Sequence, residues 1–413
     1  MRSIPGQKSP SVLLVGGGIG GMAAAIALAH QGVCVELLEQ SSTIGEVGAG
    51  LQLGPNAFAA LDALGVGASV RQHAVFADSL VMLDAVDCSE IAAIHVGADF
   101  RQRFANPYAV THRADLHRAL LEAVHLNPKV RLYTSARVDA IDINSCGVMV
   151  TTDDGRRFSA DAIVGCDGVR SVVREHLIHD SPRVSGHVVY RALVPTAAMP
   201  ADLRLNSPVV WAGPDCHLVH YPLRHGEQFN LVVTFHSRKL EEWGVSHGSK
   251  DEVLSYFEGI HARPRQLLDL PTSWWRWSTA DRDPIAHWSH GQATLLGDAA
   301  HPMMQYLAEG ACMALEDAVT LGQAVQACDL DLPAAFKLYQ DARIARTGRV
   351  VLSVREMGRI YHAKGVERLV RNSLWAGRTQ VRFYDSLEWL FAWRPERCLD
   401  DATKFYRPAL ASL

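Results

Sequence analysis

The 413-residue sequence predicts an α/β protein: a domain of strand-turn-helix units on a parallel sheet, split by an inserted, mainly antiparallel β-sheet domain and followed by a helical region. Three observations predict it. Apolar runs end in glycine or aspartate turns that open helical patterns at 12–30, 162–174 and 293–317. Between 185 and 277 the texture changes to alternating strands at 187–193, 209–211, 217–221 and 229–235, with a helical piece near 251–259. From 332 to 370 the apolar spacing is mostly helical.

The first unit is the most informative. A β-branched run at 12–15 leads into GGGIGG at 16–21, a helical pattern at 22–30 and a second strand at 33–38 that ends in Glu39. This is GxGxxG in the context it needs, with Gly16 for the tight turn, Gly18 for close approach of backbone to a pyrophosphate, and Gly21 for helix-strand packing. Glu39 is placed to accept from an adenosine ribose hydroxyl. The domain is therefore expected to be Rossmann-like. Residues 41–56 have many glycines and no period, and are expected to be a loop folded against a ligand, followed by a short helix at 57–64 and strand-like segments from 79 to 104. Arg113 opens a strong helix with Leu116, Leu120, Leu121 and Val124 on one face. There it either reaches a phosphate or is a solvated first-turn charge. Strands follow at 130–133, 138–143 and 148–152, with a hairpin turn at 153–155.

The second unit, a buried strand at 162–164 followed by GCDGVRSVVR, offers Asp167 at a strand end with Arg170 and Arg174 after it, although Asp and Gly also make ordinary turns. The third unit, ATLLGDAAHPMMQYLAEGACMALED, places Asp298 after a strand and Gly310 at a helix start. A helix N-terminus suits a ligand that develops negative charge, and a strand-end carboxylate suits a polyol. Flavin adenine dinucleotide satisfies both, with its ribitol chain and a ring that becomes anionic on reduction.

Composition narrows the class. Hydrophobic residues make up 48% and charged residues 20%, and the net charge of −4 offers no basic surface for nucleic acid. Eight cysteines lack metal-ligand spacing, so neither a metal site nor a disulfide scaffold is expected, and a reducing cytoplasmic setting is. Residues 12–29 carry no charge, but the glycines in their middle fit a strand and helix better than a membrane span. No secretion signal opens the chain, since residues 1–10 are polar. The aromatics of the tail at 372–413 need burying, on a second subunit or against their own domain.

Three motifs in order, GxGxxG with Glu39, DGVRSVVR at 167–174 and GDAAHP at 297–302 with Gly310, resemble the single-component FAD-dependent aromatic hydroxylases, the group A flavoprotein monooxygenases. The resemblance covers the chain to about residue 370. It implies an FAD domain at 1–75, 103–180 and 283–350, a substrate domain at 76–102 and 181–282, and a C-terminal helical region at 351–413 that is a possible dimer contact. It implies that Gly16, Gly18, Gly21 and Glu39 hold the ADP half, that Arg113 of HRADLH lies near the phosphates, and that Asp167 serves the pyrophosphate and the passage of NAD(P)H. Asp298 would bind ribitol, with Gly310 and Ala311 at the flavin ring. Gln305 departs from the family, most members of which have proline there. With HLVHYPL at 217–223 and YRALVP at 190–195, it makes the chain resemble the branch that converts 3-hydroxybenzoate to gentisate with NADH, in which the residues matching His217, Tyr221 and Gln305 meet the substrate.

The chemistry can be read beside the resemblance. No second GxGxxG is present, so a nicotinamide cofactor would bind transiently. The expected partners are a small aromatic acid, NADH and molecular oxygen. A flavin C4a-hydroperoxide is electrophilic, so the partner ring must be electron-rich, and a phenol near pKa 10 needs a base. His217 is the candidate base: on a strand, 217 and 221 share a face and 220 points away. One of 19 histidines can equally be a satisfied sheet residue. Val219, Leu223, Met303 and Leu307 fit a dry cavity or ordinary core. Two alternatives remain: a salicylate-type hydroxylase, or one acting on another hydroxylated aromatic acid, and a flavin-binding redox sensor without turnover.

Overall fold

The computed structural model describes residues 9–44, 50–144 and 147–403. Parts of the expected ligand loop (45–49), the polar start (1–8), Cys146 and the last tail residues (404–413) lie outside them.

Five parallel strands form the first sheet, in the order Ala293–Leu295, Ala162–Gly165, Ser11–Val15, Cys34–Leu38, Val130–Tyr133. Parallel sheets are covered on both faces, and the central strand reads as a continuous apolar run with Val12, Leu13 and Leu14 fully buried. The helix Ile19–His30 is apolar nearly all round because it is sandwiched between this sheet and the helix Gly310–Ala327. Small residues set that approach: a Cβ on Gly322 would lie 3.1 Å from Ala27, and one on Gly20 2.9 Å from Leu296. A consequence for function is that four of the strand ends, carrying Gly16, Glu39, Asp167 and Asp298, open on one side of the sheet.

The second layer is an eight-stranded sheet in the order Gly244–His247, Trp275–Asp281, Arg183–Pro195, Gln228–His236, Cys216–Leu223, Val209–Gly213, Ser79–Asp84, Glu90–His95. It is antiparallel except between Val209–Gly213 and Ser79–Asp84. One face packs Trp211, Leu218, Leu231, Val233 and Phe235 into a separate core under the helix Lys250–Tyr256 and its neighbours. The other face, with Val219, Tyr221 and Val232, turns toward the first domain. The expected α/β class with an inserted antiparallel sheet and terminal helices describes this arrangement.

Three local features differ from the sequence expectation. Residues 98–104, read within a strand-like stretch, form the helix Ala98–Phe104, whose fully buried Phe100 and Phe104 are spaced four apart, as one helix face requires. Within the expected loop at 41–56, Gly50–Leu53 is a strand paired with Ala109–His112. The helix Leu332–Tyr361, capped by Asp331, runs unbroken for 30 residues across the junction placed at 350. Of the two burial sites left open for the tail aromatics, the structure shows their own chain: Tyr384 and Phe391, from the helix Gln380–Phe391, are buried against Phe100, Phe104 and Tyr108, and Phe383 against Met82, Ile91 and Ala92. No helix among the described residues is long and apolar enough to cross a membrane.

Candidate active site

A cleft of about 1300 Å³ runs between the ends of the parallel strands and the inner face of the eight-stranded sheet. At its dinucleotide end the glycines have distinct duties. Gly16 has φ +105°, and a Cβ there would lie 2.5 Å from the Cys166 carbonyl oxygen; a Cβ on Gly21 would lie 1.9 Å from the Gly16 oxygen. Gly18 has nothing within 4 Å of its Cβ position and lines the cleft, so its backbone is open to a bulky ligand. The Glu39 carboxylate accepts from the Gly17 and Ser41 N–H groups, both at 2.7 Å, which pins it at the cleft wall with acceptor capacity remaining.

Asp298 opens onto the cleft and accepts no hydrogen bond from another described residue. Its surroundings raise its pKa by burial, an effect opposed by His301 and Arg113. Gly310, the first residue of an 18-residue helix, has its Cβ position 3.9 Å from Asp298 Oδ1, so the positive helix end, with Ala311 next, lines the cleft beside that carboxylate. Arg113 begins the helix Arg113–Leu126 and also lines the cleft.

Asp167 behaves differently from the others. Its carboxylate accepts from Ser171 Oγ and from the Val172 N–H at 2.8 Å, so the side chain secures the turn into the helix Val172–Ile178. Of the two arginines after it, Arg174 is fully buried, bound to Asp180 and to the carbonyls of Ala299 and Ala300, and ties the second motif to the third. Arg170 lies over the Trp243 ring at 4.3 Å.

At the other end, His217 and Tyr221 face the cleft from the strand Cys216–Leu223, while His220 lies between Trp211 and Phe229 in the opposite core, as a period of two requires. His217 is 1% exposed, and burial, then His187, lowers its pKa to about 3. Its Nδ1 lies 2.8 Å from His362 Nε2. Burial raises the Tyr221 phenol above its usual range, so it stays an O–H donor; its ring lies against Gly50, where a Cβ would come within 2.5 Å. Gln305 Nε2 donates to Thr234 Oγ1 at 3.1 Å, and Thr234 is the cross-strand partner of His217. Motif reading thus finds three residues that share one wall.

Two features escaped the sequence. Arg191 pairs across strands with Val232, and Val232 with Val219, so all three share the face of His217 and Tyr221. It lines the cleft over the Trp277 ring at 5.6 Å, and among the described residues no carboxylate bonds to it. Behind the Gly310 helix, Glu316 and Asp317 are held ionised by Arg343 and Arg346, and Asn56 Nδ2 donates to both Glu309 and Glu316. Burial pushes Glu309 up to about 7. Among the described residues no cluster of side chains suits a metal ion.

The FAD binding domain family matches residues 9–331. A 3-hydroxybenzoate 6-hydroxylase of Klebsiella oxytoca is 60% identical over 393 residues, 95% of this chain and 99% of that protein. The chain belongs to the FAD-dependent aromatic hydroxylases. A 3-hydroxybenzoate 6-hydroxylase of Polaromonas naphthalenivorans (strain CJ2) is 58% identical over 388 residues, 94% of this chain and 97% of that protein. Among solved structures, a salicylate hydroxylase substrate complex superposes with a TM-score of 0.81 at 26% identity, covering 98% of this chain and 99% of that one. The hydroxylase cleft fits FAD on its own geometry: an open Gly18 backbone, an Asp298 carboxylate without a donor among the described residues, and a helix N-terminus beside it.

Proposed function

We propose that this hydroxylase inserts one oxygen atom para to the hydroxyl of 3-hydroxybenzoate, giving gentisate, with NADH as reductant and molecular oxygen as oxidant. The observation that carries the reading is the convergence of His217, Tyr221, Gln305 and Arg191 on one wall of the cleft that fits the dinucleotide. Relatives with 58–60% identity named for that reaction support the substrate.

FAD would lie with its ADP half over Gly16, Gly18, Gly21 and Glu39, its phosphates near Arg113, its ribitol at Asp298 and its ring at Gly310 and Ala311. When reduced it supplies activated oxygen. The chain's own residues do the rest. His217 is neutral at working pH because burial disfavours its charged form, so it is ready to accept a proton through Nε2, the nitrogen left to the cleft. A base with so low a pKa takes a phenol proton only because phenolate and imidazolium form together and attract strongly in a site of low dielectric. Loss of that proton makes the para carbon nucleophilic. Gln305, held by Thr234, orients the phenol oxygen, and Tyr221 donates a hydrogen bond. Arg191 supplies the positive charge an aromatic carboxylate needs. Asp167 serves the pyrophosphate turn through the backbone it secures. A homodimer would cover Val366, Leu369 and Leu374, which the helix Gly365–Trp375 leaves exposed.

The test is to screen hydroxybenzoate isomers for stimulated NADH consumption and to map the position of the new oxygen. A salicylate-type enzyme would instead be stimulated by 2-hydroxybenzoate and release carbon dioxide.

A further inference from the structure

The proposed base is sealed from bulk water on its own side, yet a proton it takes must be accommodated. His217 is 1% exposed and sits among aromatic rings, with Tyr306 and Tyr361 centroids each 5.3 Å away. Among the described residues the one hydrogen-bond partner of its ring is His362 Nε2, at 2.8 Å, contributed by the residue that caps the C-terminus of the helix Leu332–Tyr361. Two imidazoles joined nitrogen to nitrogen share one hydrogen, so the bond also fixes which nitrogen of each ring is bare. His362 is buried too, but at 9% exposed against 1% it is the more accessible of the two residues.

We propose that His362 is a positioning residue for His217: by accepting from Nδ1–H it leaves Nε2 bare toward the phenol, and it carries the displaced proton to the surface. This rests on the reading of His217 as the base. The balance is simple. The phenol O–H bond breaks and its proton joins His217 Nε2; the Nδ1 proton of His217 moves to His362 Nε2; the Nδ1 proton of His362 leaves to solvent. The reverse sequence returns a proton to the oxygen after hydroxylation and restores both tautomers, so no other reactant is consumed.

The surroundings favour a relay of neutral rings over a resting charge. His187 from the strand Arg183–Pro195 stacks on His362 with centroids 5.5 Å apart and bonds to the Tyr306 hydroxyl through Nδ1. Exposed His236, on the next strand, lies 5.1 Å from the His187 ring. Burial holds His187 near 4 and His362 well below the usual histidine range, with neighbouring histidines acting in the same direction. The other charged groups nearby are occupied: Asp215 pairs with Lys364 at 2.8 Å, and Arg371 donates to the carbonyls of Ile360 and Tyr361. Asp215 and Lys364 are both exposed, and the Asp215 N–H bonds to the His362 carbonyl, so the backbone of His362 lies beside an exposed turn.

The experiment uses the FAD-loaded enzyme with 3-hydroxybenzoate and follows the ultraviolet difference spectrum of bound phenolate against pH, without turnover. His362→Phe keeps the ring volume and removes the acceptor; His362→Gln keeps an acceptor but cannot pass a proton on. His362→Phe should raise the apparent pKa of bound phenol by about one unit or more, and lower kcat and coupling about tenfold with KM within about twofold. His362→Gln should leave the bound phenol's pKa near wild type but slow proton release to a pH indicator by about tenfold or more. FAD content and melting temperature report folding, and if His362→Phe does not fold, the glutamine variant decides. Wild-type titration and proton release in the folded variants overturn the proposal. His217→Ala separates the two ideas: if it too titrates as wild type, the base assignment itself fails, whereas a shift there without one at His362 removes only the relay.

Discussion

Replacing His217 by Ala should convert a nearly flat pH dependence into one governed by the substrate's own ionisation. A phenol near pKa 10 is ionised to about one part in 300 at pH 7.5, so a site without its base works from that fraction. The expected loss at pH 7.5 is therefore roughly 300-fold in the hydroxylation step, inside the range of about 10² to 10⁴ for a positioned general base. The loss should shrink about tenfold for each unit of pH up to the phenol pKa. In the wild type, His217 is neutral everywhere above its pKa of about 3, so no limb from this residue enters between pH 6 and 9. FAD affinity should be unchanged, because His217 lies at the sheet end of the cleft, away from Asp298 and Gly18. The assay is product formed per NADH consumed, with peroxide measured separately. Variant and wild type with the same coupling across that pH range would remove His217 from the mechanism.

Other perturbations follow from single contacts. Asp298→Ala should weaken FAD binding by about 10- to 100-fold, the worth of a charge-assisted hydrogen bond, read by recovery of flavin fluorescence on dilution; unchanged affinity would refute the ribitol assignment. Arg191→Met should raise KM for 3-hydroxybenzoate by about tenfold or more while leaving a neutral phenol such as resorcinol almost unaffected, and an equal effect on both would deny it the carboxylate. Among the described residues His220 has no hydrogen-bond partner on either ring nitrogen, and burial lowers its pKa to about 3. A base depressed in the folded state costs stability as pH falls below its unfolded value near 6.5, so at pH 5 the penalty is about 1.5 units, or ~2 kcal/mol. His220→Leu should therefore raise Tm relative to wild type by several degrees more at pH 5 than at pH 7.5, and an equal difference at both would refute the linkage.

What the sequence made legible was chemistry confined to short spans. Gly16, Gly18 and Gly21 announce a turn because steric demands on glycine act within six residues, and His217, Tyr221 and His220 sort onto faces because a strand has period two. What it hid lies across long separations. His362 meets His217 from 145 residues away, and its position at the end of a 30-residue helix gives it no motif. Arg191 stood inside YRALVP, but its face could be assigned only once the register with Val232 was known. Asp167 was read from its place in a motif as facing a ligand, and it does line the cleft, but its own turn also supplies donors to its carboxylate; Ser171, four residues on, is the local sign of that cap.

The two ends of the cleft manage charge in opposite ways, and the difference bears on how the reaction is ordered. Behind the dinucleotide end, Glu316 and Asp317 stay ionised because Arg343 and Arg346 surround them. Around the ring end, His187, His217 and His362 have lowered pKa values and Tyr221, Tyr306 and Tyr361 raised ones, so every one is neutral near pH 7. Among the described residues Arg191 is the cation on that wall. On the proposed reading, an aromatic acid entering there would bring the first negative charge, which Arg191 can meet; the second would appear only when the phenol ionises, and then only if an imidazole takes its proton. On that reading phenol ionisation would be tied to a bound carboxylate and a proton acceptor in register, which is how a neutral, largely dry wall would hold back the oxygen-transferring state until a substrate of the right substitution pattern is in place.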